Sequence, residues 1–330
     1  MRGVHAVATS MRITFHSNQL SERGTEVALY DYAFFNEVVL GNESFIVSSG
    51  SGDLSTLDKF RRRFPVQLYE DPSELETLLE RSQADALYAI KYGLDDGLLG
   101  RNCKNLIHAV FDPTHPHGDV YAAVSQWLSE AKTGGRIPFV PHMIHLPDTR
   151  ADLREELSIP PKAVVLGRYG GYDQFDIPFV HHVVDKIARE ETGIYFLFMN
   201  TCPFTDPHER IIHLPKNVNL TYKTAFINTC NAMLHARRQG ETFGLAIGEF
   251  SIRDRPVLTW TQSSDQSHLQ ILGGKALAYS SEQDLESIIR GLGGLEGGHW
   301  DAYSREFSPE PVMERFRRVF LEERPPVEGR

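Results

Sequence analysis

Glu241-Thr-Phe-Gly-Leu-Ala-Ile-Gly-Glu249 is the most informative stretch of this 330-residue chain. It reads as the turn from a strand into a helix. Thr242 is a good N-cap residue, which puts Glu241 just before the helix and Glu249 on it two turns later. At ~1.5 Å rise per residue the carboxylates stand ~12 Å apart along the axis, about the span of a diphosphate with a sugar at each end. Between them the helix start offers the backbone N–H groups of Phe243, Gly244 and Leu245, and its dipole favours an anion. Gly244 permits close backbone approach.

Outward from this stretch, short apolar runs alternate with amphipathic segments, the signature of repeated βα units around parallel sheets. KAVVLGRYG (162–170), GIYFLFMN (193–200), NVNLTY (217–222), NAMLHARR (231–238), RPVLTW (255–260) and the start of KALAYSSEQDLESIIRGL (275–292) read as strands. IPFVHHVVDKIAREE (177–191), ETFGLAIGEFS (241–251) and the end of the 275–292 segment read as helices.

The first half repeats the scheme. MRITFHS (11–17), SFIVSS (44–49), VQLY (66–69), DALYAIKYG (85–93) and LIHAVF (106–111) are strands. TEVALYDYAFFNEVVL (25–40), with Val27, Tyr30, Phe34 and Val38 at helical spacing, and SELETLLERS (73–82) are helices. The proline-rich RIPFVPHMIHLPD (136–148) marks the linker. The sequence thus predicts an α/β protein with two Rossmann-like domains, residues 1–138 and 139–307, then one helix over 308–323 and a tail of disordered composition over 324–330.

A net charge of -10 and a pI near 5.8 argue against a nucleic-acid partner, because phosphate backbones are held by clustered Lys and Arg. Cys103, Cys202 and Cys230, odd in number and far apart, make neither a disulfide framework nor a zinc site and suit a reducing compartment. Cytoplasm is the expected location. No apolar run approaches the ~20 residues that span a bilayer. MRGVHAVATS (1–10) lacks the long apolar core of a signal peptide. A soluble protein is expected, with room for peripheral contact at the inner face of a membrane.

Together with GRYGGYD (167–173), the stretch 241–249 resembles the Glu-x7-Glu motif of retaining GT-B glycosyltransferases of the glycogen synthase and sucrose synthase type, family 4-like. The resemblance covers most of the second domain by motif and the first mainly by layout. It implies the GT-B fold: two Rossmann-like domains with parallel sheets facing across a cleft, the C-terminal helix crossing back to the first. It implies transfer of a hexose from a nucleoside diphosphate sugar, UDP-glucose or a similar UDP-sugar, to a glycan or lipid-linked saccharide acceptor, with no cofactor and no metal. Glu241 would hold the transferred sugar and Glu249 the ribose. Thr242, Phe243, Gly244, Leu245 and Arg168 would line the diphosphate.

One departure stands out. The family carries a Lys a few residues after the Arg, where this chain has Tyr172 and Asp173. Arg237 or Lys223 would supply the absent charge. In the first domain Gly24, in SERGTE, matches a glycine-rich loop facing donor phosphates, and His108 matches a histidine pointed at the donor sugar, with its strand ending there. Asn200 and Thr201 are placed to line the nucleotide pocket. His115 and His117 form a His-Pro-His loop that lines the cleft, not a zinc site.

Retention implies front-face attack assisted by the leaving phosphate, since no Asp or Glu stands out as a covalent nucleophile. Inversion would need a general base, for which His16 is the candidate. An epimerase, a phosphorylase and a non-catalytic sugar-nucleotide-binding module are the rival classes. The phosphorylase would need a pyridoxal lysine, and none is evident near the motif.

Overall fold

The computed structural model describes residues 10–295 and 298–322. The chain divides into two compact units, one running to Pro141 and resuming at Pro309, the other spanning His142–Ser308. In the first unit β1 (Arg12–Ser17), β2 (Glu43–Ser49), β3 (Val66–Tyr69), β4 (Ala86–Lys91), β5 (Lys104–Ala109) and β6 (Val120–Ala123) form one parallel sheet in the order β3-β2-β1-β4-β5-β6. In the second, β7 (Val164–Tyr169), β8 (Ile194–Met199), β9 (Ile211–Leu214), β10 (Ala232–His235), β11 (Gly240–Glu241), β12 (Val257–Trp260), β13 (Asp265–Gln266) and β14 (Ala276–Tyr279) follow in sequence. Six of them make a parallel sheet in the order β14-β12-β10-β7-β8-β9, and β11 pairs with β13 in a small ladder.

Both large sheets share one topology, with the winding reversing between β1 and β4 and between β7 and β10. Ligands of open α/β sheets gather outside the carboxyl ends of the strands at such a reversal. The central strands read as continuous apolar runs because helices cover both faces. The helix Pro178–Glu190 shows how. Proline opens it, and Val180, Val183, Val184 and Ile187 recur at helical spacing to pack with Phe196, Phe198 and Leu234.

Several segments differ from the sequence reading. NVNLTY is not a strand. The third strand of the second sheet is β9, and Asn219 caps a helix, Leu220–Thr229, by accepting the Tyr222 N–H at 3.0 Å. The alternation of Val218, Leu220 and Tyr222 imitates a strand, yet Val218 is exposed. β6 and the helix Gln126–Thr133 complete the first unit without having been expected. Strand β5 runs one residue past His108. After Pro309 the chain is helical to Leu321, with its last turn, Arg317–Leu321, wound as a π-helix. There Phe316 and Phe320 pack on Tyr88 with ring centroids 5.2 and 5.6 Å away. The nine residues at the start of MRGVHAVATS and the tail 324–330 lie outside the described residues. Among those described, no helix is long and apolar enough to cross a membrane.

Candidate active site

Arg168 sits on β7 at the reversal point of the second sheet and is 5% exposed. Its guanidinium donates to Thr201 Oγ1 at 2.6 Å, to the Asn200 carbonyl at 3.3 Å and to the Gly171 carbonyl at 2.9 Å. It therefore ties together the loops that leave β7 and β8. Burial pulls its pKa down to about 10, Glu241 opposes that shift and Arg237 adds to it. Arg168 stays charged at neutral pH, in one field with both groups. Asn200 and Thr201, expected to line a nucleotide pocket, are spent on this scaffold. Asn200 adopts a left-handed backbone (φ 51°) and its side-chain amide donates to the Gly170 carbonyl.

Glu241 ends β11, and its side chain remains 25% exposed. Arg237 Nη1 lies 3.1 Å from one carboxylate oxygen and His235 Nε2 3.4 Å from the other. Burial alone would raise the pKa, but the His235 hydrogen bond and the charge of Arg237 outweigh it and bring the group from 4.5 to about 2. A depressed carboxylate pKa contributes stability in full above its unfolded value, and loses it as pH falls toward the folded value. The Glu241 contribution should thus fade between pH 4.5 and pH 2. Urea unfolding across that window should show the stability gap between wild type and Glu241→Gln closing as pH drops. A gap independent of pH would contradict the ion pairing.

Thr242 is not the helix cap. The helix runs Leu245–Ser251, and its N-cap is Gly244, whose φ of 90° only glycine adopts without strain. Phe243 faces inward against His142 and Phe307, with ring centroids 5.6 and 5.3 Å away, and its carbonyl accepts from Tyr303 at 3.1 Å. Gly240 (φ 73°) is required as well, because a Cβ there would stand 2.0 Å from the Asp265 carbonyl. That close approach lets β11 pair with β13 and holds Glu241 beside Gln266.

Glu249 lies on the following helix and is buried. Its carboxylate accepts from the Tyr169 hydroxyl and from Lys223 Nζ at 2.5 Å. The two candidate cations are therefore divided: Arg237 pairs with Glu241, in the field of Arg168, and Lys223 pairs with Glu249. Tyr169, which escaped the sequence reading, comes from the strand that carries Arg168, one position on.

The first unit places its candidates differently. His108 is fully buried: Tyr88 Oη lies 2.6 Å from Nδ1, and Nε2 donates to the Val140 carbonyl at 2.8 Å. Burial lowers its pKa to about 4. It is a satisfied core histidine. His16, at the end of β1, is also buried, 2.9 Å from Tyr69 Oη, and burial followed by the charge of Lys91 holds its pKa near 4. Gly24 is the first residue of the helix Gly24–Val38. The loop before it is organised by buried Glu26, which accepts from Ser17, Ser21 and Thr25 hydroxyls at 2.9, 2.8 and 2.7 Å. His117 Nδ1 bonds the His115 carbonyl, and no cluster of metal-ligand residues forms among the described residues.

No protein-family model and no curated protein matches the chain. Solved structures do. The chain is similar to Anabaena HepE in complex with UDP and glucose, with a TM-score of 0.66 and 14% identity over 93% of this chain and 98% of that one. It is similar to a glycosyltransferase from Rickettsia africae, with a TM-score of 0.67 and 11% identity over 96% of this chain and 100% of that one. It is also similar to a putative UDP-N-acetylglucosamine 2-epimerase from Listeria monocytogenes, with a TM-score of 0.59 and 11% identity over 93% and 95%. At these identities the likeness is one of fold. Two six-stranded parallel sheets, each wound the same way and matched over nearly the whole length, give this chain the GT-B fold.

Proposed function

We propose that the protein is a glycosyltransferase. It takes a hexose from a nucleoside diphosphate sugar, UDP-glucose or a similar UDP-sugar, and passes it with retention to a glycan or lipid-linked saccharide. The observation that carries this reading is the gathering of an ionised Glu241 with Arg168 and Arg237 at the reversal point of the second sheet. HepE, similar in fold, holds UDP and glucose, which supports a UDP donor.

In this reading Glu241 accepts hydrogen bonds from hydroxyls of the transferred sugar, and Glu249 meets the ribose. Arg168 and Arg237 face the diphosphate, together with the backbone N–H groups from Thr242 to Leu245. The second unit takes the donor and the first the acceptor. As the bond from C1 to phosphate breaks, negative charge grows on the leaving UDP, and fixed guanidinium groups stabilise that charge most where it is greatest. The acceptor hydroxyl attacks C1 from the same face, and its proton passes to the departing phosphate oxygen. His108 has no part in this, because both of its nitrogens are engaged within the core.

Because two guanidinium groups supply the charge, turnover should survive EDTA. Complete loss that magnesium reverses would contradict this assignment. Binding is tested by thermal shift: UDP should raise the melting temperature more than GDP or dTDP, since a ligand held only by the native state stabilises it. Equal shifts, or none, would remove the UDP donor from the proposal.

A further inference from the structure

The proposed chemistry leaves three buried side chains beside Glu241 unused. His235 ends β10, Thr259 lies opposite it in register on β12, and His268 is the second residue of the helix Ser267–Leu272. Thr259 Oγ1 stands 2.9 Å from His235 Nδ1 and 3.0 Å from His268 Nε2, and the two rings are 4.9 Å apart. Glu241 pairs with Gln266 in the β11/β13 ladder, so the segment leading into His268 is tied to the one that carries Glu241.

The charge of Glu241 gives this cluster a direction. Ionised Glu241 can only accept, so His235 Nε2, 3.4 Å away, carries the hydrogen between them. With its hydrogen on Nε2, the His235 ring presents Nδ1 as an acceptor, and Thr259 Oγ1, 2.9 Å away, is the donor that fills it. His268 Nδ1 is buried beside the Glu241 backbone. Burial, reinforced by His235, keeps His268 neutral, with a pKa near 3. The same Oγ1 stands 3.0 Å from His268 Nε2, which holds the hydroxyl in place. His235 is then closed into the tautomer whose Nε2–H faces the carboxylate.

We propose that Thr259 and His268 are positioning residues, the head of a hydrogen-bond chain from His268 through Thr259 and His235 to Glu241 that fixes the orientation of the Glu241 carboxylate. Its consequence for catalysis rests on the reading of Glu241 as the ligand of the transferred sugar. The chain itself does not.

Nitrogen NMR of the histidine rings tests it directly, with the His235 signals assigned by His235→Gln. In the unliganded wild type His235 should carry its hydrogen on Nε2. Thr259→Val keeps the shape but removes the hydroxyl, and should populate the second tautomer. It should lower kcat about 10-fold, ~1.4 kcal/mol of barrier, at unchanged donor KM. Thr259→Ser should restore both readouts, and Thr259→Ala serves in place of valine if that variant does not fold. A wild-type His235 with its hydrogen on Nδ1, or a Thr259→Val protein with tautomer and kcat unchanged, would overturn the proposal. If Glu241→Gln retains full turnover while His235 shows the expected tautomer, the reading of Glu241 as the ligand of the transferred sugar fails and the hydrogen-bond chain stands.

Discussion

Glu241→Gln is expected to cut turnover at least ~100-fold, about 2.7 kcal/mol of transition-state stabilisation. Glutamine keeps the size of the side chain and loses the charge that hydroxyls of a sugar developing positive charge would meet. The melting temperature should fall by only a few degrees, because the Glu241 side chain is 25% exposed and Arg237 can turn to solvent. Initial rates of nucleotide release, set beside thermal melts of both proteins, separate the two effects. Turnover near that of wild type would remove Glu241 from the chemistry.

Lys223→Ala should act in the opposite sense, on stability. Lys223 and Glu249 form a pair whose side chains are 13% and 6% exposed. Removing one partner of a buried pair leaves the other charge uncompensated, at a cost of about 3–5 kcal/mol. The Tyr169 hydroxyl softens that loss without cancelling it. Replacing both charges, as Lys223→Met with Glu249→Leu, should recover most of the stability measured by urea unfolding. Arg237→Ala should instead lower turnover more than stability, since its partner is the partly exposed Glu241. If Lys223→Ala unfolds like wild type, the Glu249 pair is not closed as described.

The alternation of strands and helices was legible because each βα unit buries one helical stripe and one apolar strand, and both periods are written in the chain. Most strands and the longer helices follow from it. NVNLTY misled because three apolar residues alternate by chance while a single Asn side chain decides for helix. Likewise Thr242 looked like a cap, but the ladder of β11 with β13 moves the turn on to Gly244. In the candidate site, what was legible was the placement of Arg168 and Glu241 at strand ends and of Arg237 just beyond one. The partner of Glu249 was not, since Lys223 lies 26 positions away and meets it only once the sheet is wound. The same holds for Thr259, which depends on the register of β10 with β12. The enclosure of His108 is not legible either, because a strand-end histidine cannot be told from a buried one until Tyr88 and the Val140 carbonyl are seen around it.

The central claim is that this site breaks the bond between a sugar and a nucleoside diphosphate. Phosphorus and proton NMR of the protein incubated with UDP-glucose and with UDP-N-acetylglucosamine tests it most directly, water standing in slowly for the acceptor. The account predicts that free UDP accumulates from at least one of them, that the released sugar appears first as the α-anomer, and that Glu241→Gln abolishes the release. Conversion of UDP-N-acetylglucosamine to its 2-epimer, with the nucleotide sugar otherwise intact and no transfer to any saccharide, would contradict it and make the protein an epimerase.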